Sequence, residues 1–232
     1  DTFFTETGWD GVNKRSETDR RGNATFMEYD AADRLVQVTV PGPLVSRTIY
    51  EDGNNRKTEV DRRNIATVTQ ADALGRAVTV TRAGVRLERN AYDENSNKIL
   101  GEDAEGKKTA FGYDRANRLI ARTDGAESVD AGTTRFVMDG SGNKTAEIDP
   151  RSTDAEPSMR FAYDGANRQT DAFNGEGERT QTSYDGEGNR LSVTPPAQPP
   201  TLYSWDELGK LLSVTQPETE DHEVAVTSFG YD

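Results

Sequence analysis

Short runs of alternating apolar and polar residues recur along the whole chain. Leu35 to Val40 reads Leu-Val-Gln-Val-Thr-Val, and Ala77 to Thr81 reads Ala-Val-Thr-Val-Thr. A period of two, rich in Val and Thr, predicts strands with one face turned toward apolar surroundings. Between the runs an aromatic-acidic pair returns at a nearly fixed interval. The pairs are Trp9-Asp10, Tyr29-Asp30, Tyr50-Glu51, Tyr92-Asp93, Tyr113-Asp114, Tyr163-Asp164, Tyr184-Asp185, Trp205-Asp206 and Tyr231-Asp232. Ala71-Asp72 and Met138-Asp139 are degenerate copies that fill the two gaps. The steps between successive anchors are 20, 21, 21, 21, 21, 25, 25, 21, 21 and 26 residues, which chance does not produce. The longer steps are loop insertions, as at Glu127 to Gly132 and Arg151 to Glu156.

Three residues after the anchor acid stand Asn13, Asp33, Asn54, Gly75, Ser96, Asn117, Gly142, Asn167, Gly188 and Gly209. Most are Gly or Asn, which best tolerate a left-handed backbone. An Asp before them can accept backbone N–H groups from the residues that follow, as in an Asx-turn. The pair therefore opens a turn. A second turn falls midway through most units, as at Asp19-Arg-Arg-Gly22, Pro41-Gly42, Asp103-Ala-Glu-Gly106 and Asn174-Gly175. Each unit is strand, turn, strand. About ten units give about twenty short antiparallel strands, a ribbon on the order of 95 Å across at about 4.8 Å per strand. An open sheet of that extent curls, coils or closes. The reading is all-β: tandem antiparallel β-hairpin repeats forming a long coiled sheet, solenoid or hollow shell.

Composition sharpens this. Only 32% of the 232 residues are hydrophobic, 30% are charged, and the net charge is −13. That balance alone leans toward disorder, but the evenly spread eight Tyr, eight Phe and two Trp oppose it. A thin repetitive sheet fits better than a thick core. The acidic balance excludes nucleic acid as partner, since phosphates need basic patches. No apolar stretch is long enough to span a membrane as a helix. The absence of cysteine excludes disulfides and thiolate metal sites.

The basic residue after each turn alternates in position. It stands two places beyond the turn residue in Asn13-Lys14-Arg15, Asn54-Asn55-Arg56, Ser96-Asn97-Lys98, Gly142-Asn143-Lys144 and Gly188-Asn189-Arg190. It stands one place beyond in Asp33-Arg34, Gly75-Arg76, Asn117-Arg118, Asn167-Arg168 and Gly209-Lys210. A one-place shift moves a side chain to the other face of a strand or marks a bulge. The expected repeat is thus a pair of units, about 42 residues, with one class of turn on each edge of the ribbon.

Tyr113-Asp-Arg-Ala-Asn-Arg-Leu119, preceded by Gly106-Lys-Lys-Thr-Ala-Phe-Gly-Tyr-Asp114, resembles the Rhs/YD-repeat family. The resemblance covers essentially the whole chain. It implies a coil of repeats closing into a hollow β-shell, as in bacterial Rhs polymorphic toxins, shell components of insecticidal toxin complexes and teneurins. It further implies a toxin cargo held by the shell, released in many members by an aspartate-dependent self-cleavage at a core segment. Asp149-Pro150 lacks the glycine of that core motif, so the protease role is not carried onto it.

Candidate chemistry is sparse. Most Asp residues are already used as turn formers, so no carboxylate pair stands out for catalysis. His222 is the only histidine and sits in the acidic stretch Glu218-Thr-Glu-Asp-His-Glu223, which reads as a solvated loop. Asp139-Gly-Ser-Gly-Asn143 and Asp185-Gly-Glu-Gly-Asn189 mimic the start of a calcium loop, but the twelfth position is Pro150 or Pro196, not Glu. The aromatic anchors could form a sugar-binding ladder and more simply stack on one another along the coil.

The expectation is one array over 1–232, a piece of a longer exported bacterial protein, secreted or at the cell surface. It is no enzyme and needs no cofactor or metal. Trp9, Asp10, Tyr29, Asp30, Tyr50, Tyr92, Asp93, Tyr113, Asp114, Tyr163, Asp164, Tyr184, Asp185, Trp205, Asp206, Tyr231 and Asp232 are its structural anchors. Its partners are the remainder of its own chain with a possible toxin cargo, other copies of itself, or cell-surface glycans or proteins. A filament-forming adhesion protein and a carbohydrate-binding module are the alternatives.

Overall fold

A computed structural model describes residues 5–42, 44–218 and 223–231. His222 and Asp232 lie outside the described residues. The chain divides into two compact units, Asp1–Ala110 and Phe111–Asp232. Unit 1 contains β1 (Glu6–Trp9), β2 (Lys14–Thr18), β3 (Ala24–Tyr29), β4 (Leu35–Val40) and β5 (Leu44–Glu51). It continues with β6 (Arg56–Val60), β7 (Ala66–Ala71), β8 (Ala77–Arg82), β9 (Val85–Tyr92) and β10 (Lys98–Asp103). The boundary falls within β11 (Lys108–Tyr113). Unit 2 holds β12 (Leu119–Asp124), β13 (Gly132–Met138), β14 (Lys144–Ile148), β15 (Met159–Tyr163) and β16 (Gln169–Asn174). It ends with β17 (Arg179–Tyr184), β18 (Arg190–Thr194), β19 (Thr201–Trp205), β20 (Leu211–Gln216) and β21 (Ala225–Ser228). A short 3-10 turn, Asp52–Asn54, is the sole helical element among the described residues. No described helix is long and apolar enough to cross a membrane, a statement that concerns helices alone.

The fold is all-β, a meander of tandem hairpins. Within each unit every strand pairs antiparallel with its chain neighbours, as in β3–β4, β4–β5, β15–β16 and β16–β17. The meander follows from the spacing of turn residues, because a strand of five or six residues leaves no chain for a crossover. The sharpest mid-unit turn is Ala83-Gly84, with φ of 49° and 81°. Two successive left-handed residues match the twist of a two-residue hairpin. The 151–156 insertion lies in the link β14–β15, and the 127–132 insertion lies in the link β12–β13 as far as Ala131, Gly132 being the first residue of β13.

Two expectations about the turns are corrected. Anchors end the odd-numbered strands from β1 to β19, so within each unit both classes of anchor turn lie on one edge and the mid-unit turns on the other. The reason is parity: two strands separate successive anchors, and the chain returns to the side it left. Nor do bulges distinguish the classes. The register slips by one residue at Tyr29 and Tyr163 in one class and at Trp9 and Tyr184 in the other. The slip belongs to the loop type, a tight turn closed by a left-handed residue.

Very little of the sheet is buried. Ile148, at 4% exposure, is the one buried apolar residue among those described, and Asn90, at 8%, the one buried polar residue. Apolar side chains gather on the anchor-bearing face without a second layer over them. On β13, Phe136 and Met138 of that face are half-buried while Arg135 and Val137 of the other are exposed. β3 shows the same contrast, with Met27 and Tyr29 half-buried and Phe26 and Glu28 exposed. Around Asn90 the packing is close. Its Nδ2 donates to the Ala77 carbonyl at 3.2 Å. Opposite it, a Cβ on Gly101 would stand 2.8 Å from Cε of Lys98, so glycine there admits the lysine stem.

Candidate functional site: the anchor edge

The sequence anchors come together along the anchor edge of each unit, and their turns are built alike. In Asp30 the carboxylate Oδ1 accepts the backbone N–H of Ala32 at 2.9 Å and of Arg34 at 3.0 Å. Oδ2 accepts Nε of Arg34 at 2.7 Å. The Asp30 N–H donates to the Arg34 carbonyl at 2.9 Å, closing the loop. Asp72, Asp114 and Asp164 repeat this arrangement with Arg76, Arg118 and Arg168. Asp103 and Asp61 form the same backbone cage at mid-unit turns, so the device is not confined to anchors.

Electrostatics follow the geometry. The carboxyls of Asp30, Asp114 and Asp164 sit below the ordinary range, chiefly because the backbone N–H of the fourth residue on donates to them. Asp72 is lowered first by the Arg76 side chain. The Arg34 guanidinium is held still more firmly charged by Asp52 and then Asp30. Each such carboxylate is an acceptor with its oxygens already engaged. A carboxyl with a lowered pKa is a weak base and carries no proton to donate near neutral pH. The arrangement makes turns.

Left-handed residues close the loops. Eight of the ten positions read from the sequence have positive φ: Asp33, Gly75, Ser96, Asn117, Gly142, Asn167, Gly188 and Gly209. Asp33 and Ser96 adopt it although neither is Gly or Asn. The other two positions depart from expectation. After Trp9 the loop is one residue shorter, with Asp10 N–H donating to the Asn13 carbonyl, and Gly11 takes the positive φ of 98°. After Tyr50 the strand runs on to Glu51 opposite Arg56, and Asn55, not Asn54, is left-handed.

The alternation of basic residues has a chemical cause. Arginine in the fourth place beyond the Asp grips its own turn through Nε and reaches the next turn through a terminal nitrogen. Arg76 donates to the Asp93 carbonyl at 2.9 Å, Arg118 to that of Asp139 at 2.9 Å, and Arg168 to that of Asp185 at 2.8 Å. Arg34 reaches the Asp52 carboxylate instead, at 2.8 Å. In the intervening turns the fourth place is Asn97, Asn143 or Asn189, whose Nδ2 donates to its own Asp. In these three turns the basic residue stands one place further on because the Asn occupies the place that grips the Asp, whereas after Asp10 the fourth place is Lys14 and Arg15 grips the Asp.

At five of the anchors a cation, and not a neighbouring ring, lies over the aromatic face. Basic side chains lie over five anchors: Arg15 over Tyr29, Arg34 over Tyr50, Arg76 over Tyr92, Arg168 over Tyr184 and Lys210 over Tyr231. The Arg34 guanidinium carbon is 4.0 Å from the Tyr50 ring centroid. Successive anchors are two strands apart, roughly 9.6 Å, beyond the roughly 4.5–7 Å of a ring pair. A cation fills that gap. The far end of the anchor ties back as well. The hydroxyls of Tyr29, Tyr92, Tyr163 and Tyr184 donate to the carbonyls of Lys14, Ala77, Lys144 and Gln169. Trp205 Nε1 makes the equivalent bond to Arg190 at 2.8 Å. These ties were not read from the sequence; the signal was the constant spacing of fifteen residues in most of them.

The calcium-like turns are occupied by their own donors. Oδ1 of Asp139 accepts the N–H groups of Ser141 and Asn143, and Oδ2 accepts Asn143 Nδ2 at 3.0 Å. Asp185 holds Asn189 in the same way. Among the described residues, no group of three or more His, Cys, Asp or Glu is placed to hold a metal ion.

Residues 92–129 and 184–221 match the family model described as RHS Repeat. These two stretches of the chain carry RHS repeats. Both matches start at an anchor tyrosine, Tyr92 and Tyr184, and run past the next anchor, so each covers one turn of each class. The fold of the chain is similar to that in the crystal structure of TcdB2-TccC3-Cdc42, with 15% identity, 91% of this chain covered, 13% of that one, and a TM-score of 0.53. It is also similar to the Tc holotoxin pore of Photorhabdus luminescens, with 14% identity, 97% and 14% coverage, and a TM-score of 0.54. At such identities the likeness concerns the fold. The chain spans about a seventh of the length of those structures. No curated protein matches it.

Proposed function

We propose that this chain is wall material of a β-shell in an Rhs/YD-repeat protein, which encloses or presents a cargo such as a toxin domain. The observation that carries the reading is a hairpin meander with RHS repeats and almost no core of its own. A sheet of this kind supplies area and a half-buried apolar face, which suits enclosure. The fold it resembles occurs in toxin-complex chains, which favours a secreted or exported protein whose partners are the rest of its own chain and a cargo. In this reading the ten units, paired into repeats of about 42 residues, act as one array, and the anchors are structural and not catalytic.

Negative-stain electron microscopy of the polypeptide that carries these repeats tests the proposal. Closed hollow particles are expected. Continuous fibres would favour an adhesion or filament protein instead. A carbohydrate-binding role is weaker, because a basic side chain already covers one side of five anchor rings.

A further inference from the structure

Two mid-unit turns of unit 1 and two of unit 2 present opposite charge, although the β10–β11 turn of unit 1 carries Asp103 and Glu105. In unit 1 the β2–β3 turn presents Arg20 and Arg21, and the β6–β7 turn presents Arg62 and Arg63, all exposed. The acids that open these turns are engaged with backbone: Oδ1 of Asp19 accepts the N–H of Arg21 and Asn23, and Oδ1 of Asp61 those of Arg63 and Ile65. Arg63 stays 3.7 Å from Asp61. In unit 2 the β12–β13 link presents Glu127 and Asp130, and the β16–β17 turn presents Glu176 and Glu178, again exposed.

The spacing of the two sets is the same. Four strands separate the two arginine turns, and four separate the two acidic ones, roughly 19 Å in each case at about 4.8 Å per strand. What lies between them is complementary in length. The arginine turns flank the link from Val40 to Leu44, and the acidic turns flank the long link from Ile148 to Met159.

We infer that the basic mid-unit edge of unit 1 docks on the acidic mid-unit edge of unit 2 in a second copy of this chain. Such a contact is heterologous and can repeat from copy to copy. It does not rest on the shell proposal, since it needs only the turn tips of one copy to meet those of another. The net charge of −13 opposes it, but over a limited range. The screening length is about 10 Å at 0.1 M salt and about 3 Å at 1 M. Acids of the anchor edge lie about 20 Å from the mid-unit tips, the length of a six-residue strand. Near 0.1 M their repulsion is damped while charges in contact still attract, and at 1 M that attraction is lost.

Sedimentation velocity of the purified chain tests this, with two variants. Arg20→Glu/Arg21→Glu/Arg62→Glu reverses the basic edge. Asp130→Lys/Glu176→Lys neutralises the acidic edge and spares Glu178, which accepts Asn174 Nδ2 at 2.7 Å within its turn. Wild type is expected to associate near 0.1 M, with an apparent Kd at least about tenfold weaker at 1 M. Each variant alone is expected to be monomeric, and an equimolar mixture of the two to associate, because each then offers the edge the other needs. A monomeric wild type at both salt concentrations would overturn the inference. So would a variant that associates as well as wild type, or a mixture that stays monomeric. Circular dichroism checks that the variants keep their strands; if one does not, the wild-type salt series decides alone.

Discussion

The anchor edge and the sheet interior are held by different means. Along the edge nearly every turn Asp has its oxygens engaged, each reaching arginine ties two turns, and rings are capped by cations. In the interior one apolar residue, Ile148, is buried among those described. Elsewhere in globular proteins the burial of apolar area dominates stability. Here the polar edge does much of the work of fixing one conformation, and it does so at every unit. A repeat array can be built this way because each unit contacts only its neighbours, so a modest local gain is enough if it recurs. The comparison makes opposite predictions for acid and for core truncation.

Acid should give the largest effect. The carboxyls of Asp30, Asp61, Asp72, Asp114, Asp139 and Asp164 all titrate below their ordinary value in the fold. Each therefore prefers to be ionised when folded. Its contribution is fully present above the unfolded value of about 3.9 and is lost as pH falls through the lowered folded value. Because the groups are alike, the losses should coincide. Melting temperature should be nearly flat from pH 7 to about 5, then fall steeply below about pH 4. A melting temperature that declines evenly from pH 7 downward would break the comparison.

Truncating the interior should be smaller and local. Ile148→Ala removes the one apolar side chain buried among the described residues, a change that costs about 2–4 kcal/mol in ordinary cores. Hydrogen exchange should quicken in β13, β14 and β15, the strands next to it, and stay unchanged in unit 1. Uniform loss of protection across both units would mean that the interior, and not the edge, sets the cooperativity.

Much of this was legible in the chain, and the reasons are physical. Turn chemistry is local: Asp with a left-handed residue three places on specifies a loop without help from distant parts, so the strands and the meander followed. What the spacing could not show was where a long side chain ends. Arg168 reads as a basic residue one place after Asn167; that its terminal nitrogen meets the Asp185 carbonyl depends on which turns share an edge. The parity of strands decides that, and the expectation of one turn class per edge missed it. The cations over five of the rings were missed for a related reason, because a period of 21 residues says nothing of the two-strand distance between rings. Asn55 and Gly11 show the limit at single loops, where one residue more or less moves the left-handed position.

Replacing the reaching arginine tests the edge directly. Arg168→Lys keeps the charge but loses the fork that holds Asp164 through Nε at 2.7 Å and the Asp185 carbonyl through a terminal nitrogen at 2.8 Å. Lysine is a point charge on a flexible stem and cannot make both bonds at once. The urea-unfolding midpoint should fall. The same exchange at Arg122, which donates to Asp124 within its own strand, should cost little. Equal costs at the two sites would deny the edge its special role.

The smallest effect expected is at the ring. Tyr184→Phe keeps the aromatic face under Arg168, 4.8 Å from the centroid, and removes only the hydroxyl that donates to the Gln169 carbonyl at 3.1 Å. That carbonyl is exposed enough to take water in its place, so the loss should be about 0.5–1 kcal/mol. Tyr184→Leu removes the hydroxyl and the π-face together while keeping an apolar side chain. The difference between the two variants isolates what the guanidinium gains from the ring, about 0.5–1 kcal/mol at a part-exposed site. If Leu is no worse than Phe in urea unfolding, the aromatic half of the pair serves only as apolar cover, and the ordering of the edge rests on the Asp–Arg bonds alone.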